Sequence, residues 1–390
     1  MTLMPQLEPH DANSAAAMLA EAAADKVSVV PHGNQTKLGV RADVERTAFL
    51  SSLRLTTGLA HYAGDLVATA PAGCTLREVN AALARERQWL SLDPPCADRA
   101  TIGGIVAANA SGPRRHRFGG PRDLIIGIEV ALTSGRVAHA GGRVVKNVAG
   151  YDLARLFCGS EGSLGVITSV TFKLAPIAPA SRTVVARFVS VKHAAAFALE
   201  LSVDASLTPS TIEIILPEPR LLIRFETTRR SAELMAAGAA ARLTDGSSDV
   251  VILDGDAEAE VWAEHQQLES VDDGLVAQVS VLPTVVGPVM DQVGRMATEF
   301  GVTWGATGRA ALGALRIRAA GDQRALQRFA AGLRTAIAVQ GGHAQFILGA
   351  HILGDQLEPR GPVGSAAAVG FAVKQRFDPA GVLPYPWARS

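Results

Sequence analysis

Three glycine-rich segments in the first half of the sequence contain the residue types that can hold an anionic ligand through the backbone. The first runs from Pro31 to Thr36 (PHGNQT) and directly follows the apolar run Val27 to Val30. Glycine and Asn tolerate positive φ, so consecutive amides can point into one concavity and bind a pyrophosphate without a lysine. The same composition is typical of an ordinary turn. The candidate binding residues in this segment are His32, Gly33, Asn34, Gln35 and Thr36.

The second segment runs from Ala100 to Gly112 (ATIGGIVAANASG). Its paired glycines open a run of small residues that has no room for a large side chain. A tightly packed helix and turn would have a similar composition. The absence of bulky polar residues between two proline-flanked ends favours a surface against which a ligand lies, with backbone N–H groups free to face it. The candidates are Ala100, Thr101, Gly103, Gly104, Asn109, Ser111 and Gly112.

The third segment, Gly159 to Thr168 (GSEGSLGVIT), is a glycine-punctuated turn that enters a β-branched strand. Backbone groups at such a turn can pair with the edge of an adenine ring, which makes Gly162, Val166 and Ile167 candidates. The sequence has no Walker A lysine motif and no G-x-G-x-x-G between a strand and a helix. These absences speak against a P-loop or a Rossmann nucleotide site.

Short strands and helices that alternate up to Ala175 must position these segments. The stretch from Ser14 to Ala24 predicts a helix capped by Asn13 or Ser14. A second helix is predicted from Thr75, which has Glu78 at the spacing of a capping box. A strand that runs into a Gly-rich turn, as at Val27 to Val30, is typical of a phosphate contact.

A second domain is predicted after the proline-marked stretch APIAPA at 175–180. Its predicted strands are RTVVARFVS, TIEIIL, RLLIRFE, AQVSVLP, ALRIRA and AQFILGA, and its predicted helices lie in 192–206, 231–243, 286–300 and 323–340. This order indicates an antiparallel sheet with helices on one face. We expect domains at 1–176 and 177–370, and a tail over 371–390 that folds back onto the first domain.

The overall composition excludes several classes of partner. Because 37 basic and 37 acidic residues give a formal net charge of zero, nucleic acid is not an expected partner. No apolar run of about 18 residues occurs, which leaves at most peripheral association with the inner face of a membrane. The first residues lack a signal-peptide pattern, so we expect a cytoplasmic protein. The 3 cysteines are too few to ligate an iron–sulfur cluster alone.

The order of these segments resembles the FAD domain of the vanillyl-alcohol-oxidase family, the PCMH-type FAD-binding fold. The matching features are P-x-G-x-x-T at Pro31, T-I-G-G at Thr101 followed by N-x-S-G at Asn109, and the run GGRVVKNVAGYDLARLFCGSEGSLGVIT. Within this family, the stretch SGPRRHRFGGPRDLIIGIEVALTSG is similar to the E-subunit branch of the glycolate oxidases. The resemblance is strong from Val27 to Pro176. It implies an α+β protein with a PCMH-type FAD-binding fold of two α+β subdomains and a C-terminal α+β cap domain on an antiparallel sheet.

The resemblance also implies that FAD is the cofactor and that it is held non-covalently. It assigns the pyrophosphate to Gly33–Thr36 and Thr101–Gly104, the flavin side to Asn109, Ser111 and Gly112, and the adenine end to Val166 and Ile167. A family stretch beside the cofactor is matched by Lys146, Asn147, Tyr151 and Asp152. For Tyr151 and Asp152, a structural role and a chemical role are equally good interpretations.

Catalytic members of the family carry a stretch like H-x-G-D-G-N-x-H in the cap domain, which supplies metal ligands and a base. The nearest candidates here are His343 and His351, and neither has that context. A lone histidine is more often an ordinary loop or sheet residue than a ligand. We therefore expect no metal ligands and assign no catalytic residue. The family's F-D-P-x-G return is matched from Phe377 to Leu383 and then diverges at Pro384-Tyr385-Pro386.

Three functions are consistent with these observations. The first is the FAD-binding subunit of a glycolate oxidase complex, in which a paralogous flavoprotein subunit abstracts hydride from the 2-hydroxy acid and an iron–sulfur subunit takes the electrons. The second is a self-sufficient FAD-linked 2-hydroxy-acid dehydrogenase of the D-lactate type. The third is a flavin-free subunit that serves assembly. The missing histidine motif speaks against the second function, and the intact glycine-rich segments speak against the third.

Overall fold

The computed structural model describes residues 6–36, 47–143, 152–244, 246–269, 274–354, 357–361, 364 and 367–384. These residues form two compact units. The first unit comprises the described parts of Met1–Gly112, Phe118–Ile177 and Val363–Ser390, and the second comprises those of Pro113–Arg117 and Ala178–Pro362. The predicted domains differ from this division in three respects. The first domain was predicted to end at residue 176 rather than 177, the tail to begin at 371 rather than 363, and the short segment 113–117 to belong to the first domain.

The first unit is built on a parallel sheet and an antiparallel sheet. Its strands are β1 Gln6–Leu7, β2 Ser28–His32, β3 Thr47–Ser51, β4 Ala60–Tyr62, β5 Val67–Pro71, β6 Gln88–Trp89, β7 Ile125–Ala131, β8 Val137–Gly141, β9 Val166–Lys173 and β10 Ala175–Pro176. The parallel sheet has the order β1-β3-β2, the five-stranded antiparallel sheet has the order β4-β5-β9-β7-β8, and β10 pairs with β6.

The first six helices of the chain are α1 Ala12–Ala24, α2 Leu76–Leu83, α3 Ile102–Ala107, α4 Arg115–Phe118, α5 Pro121–Leu124 and α6 Leu153–Phe157. The capping box predicted for α2 is confirmed, because Thr75 and Glu78 each accept a hydrogen bond from the other's amide, at 3.2 and 2.8 Å. Helix α1 begins two residues before the predicted start. Its cap is Asp11, whose carboxylate accepts from the Ser14 amide at 2.6 Å. Such caps contribute about 1 kcal/mol each.

The C-terminal segment completes the first unit. Helix α13, Ala367–Phe377, is followed by Val382 and Leu383, which are buried with Leu19 of α1 and Val29 of β2. The Val29 amide donates to the Val382 carbonyl at 2.8 Å. The segment that ends at residue 384 therefore packs beside the strand that leads into the first glycine-rich segment.

The second unit is an eight-stranded antiparallel sheet with the order β14-β11-β13-β12-β16-β17-β15-β18. Its strands are β11 Ala180–Arg187, β12 Thr211–Leu216, β13 Arg220–Thr227, β14 Asp249–Leu253, β15 Leu275–Ser280, β16 Thr303–Arg309, β17 Ala314–Ala320 and β18 His343–Leu348. Its helices are α7 Val191–Val203, α8 Arg229–Thr244, α9 Gly255–Glu269, α10 Val286–Phe300, α11 Gln323–Val339 and α12 Ala350–Leu353. The predicted α+β class and the antiparallel sheet of the second domain are confirmed.

Helices cover both faces of this sheet, whereas the sequence predicted helices on one face. Alternate strand residues such as Val184 and Ile223 pack with α7, α8, α10 and α11 in the main core. Val185, Ile215 and Leu222 point to the other face and pack with Trp262 of α9 in a small second core. The sequence did not predict α9, β14 or β16. Among the described residues, no helix is both long and apolar enough to cross a bilayer.

Candidate cofactor-binding site

The first and second glycine-rich segments meet where β2 ends. A Cβ built on Gly33 would lie 2.2 Å from Thr101 Oγ1, so any side chain at this position would collide with Thr101. The Asn34 side-chain amide donates to the Arg99 carbonyl at 2.7 Å. Gln35 has a φ of 56°, which turns the chain sharply at this point. Gly33 and Thr101 are therefore neighbours, as a shared binding surface requires.

The amides of the second segment are not free as the sequence predicted. Thr101 caps α3, and its Oγ1 accepts from the Gly104 amide at 3.3 Å. The amides of Ile102 and Gly103 both donate at 2.9 Å, to the carbonyls of Cys74 and Ala72. This part of the prediction is wrong, because the first turn of α3 docks on the turn that follows β5. Within the described residues, the amides of Asn34 and Gln35 in the first segment make no backbone hydrogen bond.

The two paired glycines face different surroundings. A Cβ on Gly103 would lie 2.9 Å from the Ala72 Cβ, so this glycine permits close packing of the protein on itself. A Cβ on Gly104 would meet Thr101 Oγ1 at 3.0 Å and no further described atom within 4 Å, apart from the backbone of α3 and the chain neighbours. Gly104 is half-buried and open on one side. It is therefore the position of this pair at which a ligand can approach the backbone.

The third segment contacts both of the other glycine-rich segments. The amides of Gly159 and Glu161 donate to the carbonyls of Val106 and Ala107 at 3.0 and 2.8 Å. Gly162 has a φ of 77°, and a Cβ built on it would lie 3.3 Å from the Pro31 side chain. The three glycine-rich segments, far apart in sequence, therefore converge at one place in the first unit.

The remaining candidates of the second segment lie nearby, and several have protein contacts. Asn109 has a φ of 46°, and its side-chain oxygen accepts from the Cys158 thiol at 3.4 Å. Gly112 fits against the Asp93 backbone, because a Cβ on it would lie 1.8 Å from the Asp93 carbonyl oxygen. Ala100 is buried and both donates to and accepts from the backbone, while Ser111 is half-buried.

Val166 and Ile167 are 3% and 6% exposed, so their side chains belong to the core. Their backbones pair with β7 in the antiparallel sheet. Thr36, the last residue of the first segment, is half-buried. Three further predicted residues, Lys146, Asn147 and Tyr151, lie outside the described residues.

Asp152 has a structural role, because its carboxylate caps α6 by accepting from the Arg155 amide at 3.3 Å. Among the described residues, the two cap histidines belong to no cluster that could hold a metal ion. The ring of His343 contacts the Arg360 carbonyl through Nε2 at 3.1 Å, and His351 is exposed on α12.

The sequence missed a buried polar group in the second unit, which we call the Glu–His–Glu cluster: Glu213 of β12 with His265 and Glu269 of α9. His265 Nε2 lies 3.1 Å from Glu213 Oε2. Burial disfavours the charged form of His265, but the hydrogen bond to Glu213 and the charges of Glu213 and Glu269 outweigh it and raise the pKa of the imidazole. The spacing of His265 and Glu269 by four residues is a signal that could have revealed this group.

Comparison with known proteins identifies the first unit. Residues 6–141 match a family model described as an FAD binding domain. The chain is 32% identical over 218 residues to glycolate oxidase subunit GlcD of Bacillus subtilis, and 39% identical over 158 residues to glycolate oxidase subunit GlcE of Escherichia coli. These alignments cover 56% and 40% of the chain and 46% and 45% of the relatives. The chain therefore matches less than half the length of these curated relatives.

A D-lactate dehydrogenase of Archaeoglobus fulgidus is 35% identical over 171 residues, which are 44% of the chain and 38% of that enzyme. Among solved structures, an alkyldihydroxyacetonephosphate synthase matches 97% of the chain and 76% of its own length, with a TM-score of 0.76 at 16% identity. At that identity the likeness shows a shared fold. Together with the family model, it confirms the predicted PCMH-type architecture. Residues 6–141 thus belong to an FAD-binding domain, and FAD is the cofactor of the first unit.

Proposed function

We propose that this chain is the FAD-binding subunit of a complex that oxidises glycolate to glyoxylate. The observation that carries the proposal is the 39% identity over 158 residues to the glycolate oxidase subunit GlcE, together with the FAD binding domain at residues 6–141. In the complex, a paralogous flavoprotein subunit would take hydride from the 2-hydroxy acid. An iron–sulfur subunit would receive the electrons, because the 3 cysteines of this chain are too few to hold a cluster.

We propose that the FAD pyrophosphate lies between the first and second segments. Because Gly33 has no side chain, Thr101 can lie directly beside it, and the backbone at Gly104 is open to a ligand on one side. The amides of Asn34 and Gln35 can donate to the phosphate oxygens. The third segment reaches the same place, because its Gly162 lies beside Pro31 of the first segment. These contacts involve mainly the backbone, as the predominance of small uncharged residues requires. When bound, FAD would supply the two-electron chemistry, while these residues bind and orient it.

The FAD is proposed to be non-covalent. Burial raises the pKa of the Cys74 thiol, which keeps it protonated and a poor nucleophile. The Cys158 thiol is engaged with Asn109, and His32 Nδ1 lies 2.8 Å from the Gly33 carbonyl oxygen. Acid precipitation of the purified protein is therefore expected to release all flavin into the supernatant. Yellow colour that stays with the pellet would contradict a non-covalent cofactor.

The second candidate function is a self-sufficient FAD-linked 2-hydroxy-acid dehydrogenase, which the relatives named D-lactate dehydrogenase and D-2-hydroxyglutarate dehydrogenase favour. An artificial dye as electron acceptor separates the two functions. The isolated chain is expected to carry FAD and to reduce no dye with glycolate or D-lactate, whereas the complex purified with its native partners is expected to turn over. Equal turnover by the isolated chain would support the self-sufficient enzyme instead.

Replacing both cap histidines tests whether they take part in the chemistry. In the complex, the double variant His343→Ala/His351→Ala is expected to keep its FAD and to lose less than about tenfold in glycolate oxidation. A positioned acid or base typically contributes about 10²–10⁴-fold, and the exposed positions of these rings fit no such role. A loss of about a thousandfold with FAD retained would show that one of them acts at the reacting carbon.

A further inference from the structure

The Glu–His–Glu cluster lies between α9 and the sheet of the second unit, away from solvent. Glu213 and His265 are 0% exposed and Glu269 is 3% exposed. One potential ligand atom from each of the three side chains lies within 4.8 Å of the other two. Two carboxylates and an imidazole that meet in a dry place must have their charges and lone pairs satisfied by something.

The protein does not satisfy all of these lone pairs. Within the described residues, Glu213 Oε1 and His265 Nδ1 make no hydrogen bond. Arg309 Nε lies 3.6 Å from Glu213 Oε1, which is close enough for ionic attraction but too long for a hydrogen bond. Leaving a buried polar atom unmet costs about 1–3 kcal/mol, and here two such atoms belong to side chains that touch each other.

We propose that Glu213, His265 and Glu269 bind a divalent transition metal ion, with Zn²⁺ as the best fit. One imidazole with two carboxylates is a donor set that suits Zn²⁺. His265 and Glu269 stand four residues apart on one face of α9, and Glu213 comes from the neighbouring strand β12. Thr307 Oγ1, 3.4 Å from Glu269 Oε1, can orient that carboxylate.

This site would fasten α9 to the sheet. The helix buries few apolar side chains, so its attachment depends on the polar residues Glu258, His265 and Glu269, together with Trp262. The ligands come from α9 and β12, and neither His343 nor His351 belongs to the cluster. The site is therefore distinct from the H-x-G-D-G-N-x-H motif of catalytic family members, and its role is proposed to be structural.

Metal analysis of the full chain tests the proposal. Protein purified without chelator, or dialysed against Zn²⁺ afterwards, is expected to contain about one equivalent of metal by mass spectrometry. X-ray absorption at the zinc edge should show one imidazole and otherwise oxygen donors at about 2.0–2.2 Å. The Glu213→Gln and Glu269→Gln variants should each lower metal affinity by about tenfold or more, since each removes an anionic ligand.

Glu258→Gln is the matched control. Glu258 is a buried carboxylate on the same helix, but it pairs with Arg224 at 2.9 Å and lies outside the cluster. This variant should keep the metal. A wild-type chain that binds less than about 0.1 equivalent of Zn²⁺, Mn²⁺, Fe²⁺ or Co²⁺ would overturn the proposal. An X-ray absorption spectrum that shows sulfur ligands or several imidazoles would also overturn the proposal. Because this spectrum is recorded on the wild-type chain, it decides the question even if the variants fail to fold.

Discussion

Replacing Gly104 with Asp is expected to abolish FAD binding and to leave both units folded. The substitution should be compatible with the folded protein in the absence of FAD. Position 104 lies in the first turn of α3, where an acidic residue is favourable by about 0.3–1 kcal/mol. Among the described atoms outside the backbone of α3 and the chain neighbours, a Cβ there meets only Thr101 Oγ1, at 3.0 Å. The loss should therefore come from the ligand rather than from the fold.

The expected size of the loss follows from electrostatics. If the pyrophosphate lies against Gly104 as we propose, a carboxylate comes within about 5 Å of two negative charges. At an effective dielectric constant of about 20, each such pair repels by about 3 kcal/mol, and the two pairs together lower the affinity by about 10⁴-fold. Flavin absorbance per chain after gel filtration measures the effect, and circular dichroism reports the fold.

Gly64→Asp is the matched control for this substitution. Gly64 belongs to the same unit, is exposed, and has no described atom within 4 Å of a built Cβ. This variant should retain wild-type flavin content. If Gly104→Asp also retains near-stoichiometric FAD, the pyrophosphate does not lie at the start of α3, and Gly104 serves helix packing alone.

Replacing Lys374 with Met is expected to lower the free energy of unfolding of the first unit by about 3–5 kcal/mol. Lys374 is 7% exposed, and its ammonium donates to the Ser163 and Leu383 carbonyls at 2.8 Å and to the Asp378 carboxylate. Methionine fills a similar volume but leaves the Asp378 carboxylate buried without its counter-charge. Urea unfolding followed by flavin release measures the change.

A double variant tests whether the loss of stability comes from the unpaired charge of Asp378 or from altered packing at position 374. In the double variant Lys374→Met/Asp378→Asn no uncompensated charge remains. The Asn oxygen can still accept from the amide of Val382 or of Leu383, but not from both, because these amides donate to different oxygens of Asp378. Stability should therefore recover by about 1–3 kcal/mol relative to the single variant. A single variant that loses less than about 1 kcal/mol would mean that the pair contributes no more than an exposed salt bridge does.

The sequence could suggest where the cofactor lies because the proposed contacts involve mainly the backbone. Glycines that permit close approach or positive φ, such as Gly33 and Gly162, are visible in the sequence itself. The sequence does not show which backbone amides remain available to bind a ligand. The first turn of α3 donates to Ala72 and Cys74, and this contact between segments distant in sequence depends on tertiary packing.

The Glu–His–Glu cluster was missed for a different reason. Helix α9 buries Glu258, Trp262, His265 and Glu269, so its inner face is mostly polar and no apolar stripe marks it as a helix. Strand β16 reads TWGATGR, which lacks the alternation of apolar residues that predicts a strand. Where buried faces are polar, hydrophobic periodicity gives no signal, and the residues involved look like solvent-exposed ones.

The packing of Val382 and Leu383 beside Val29 has a consequence for how the protein is made. During synthesis, the second unit emerges from the ribosome complete, because Ala178–Pro362 precede the C-terminal segment. The first unit cannot close at that stage, since α13 and the residues that follow it are still inside the ribosome. Domains generally fold as units while the chain is being made. The order in which the units are completed is therefore the reverse of the order in which they begin: the second unit is finished first, and the cofactor-binding unit can close only after α13 and the residues that follow it have left the ribosome.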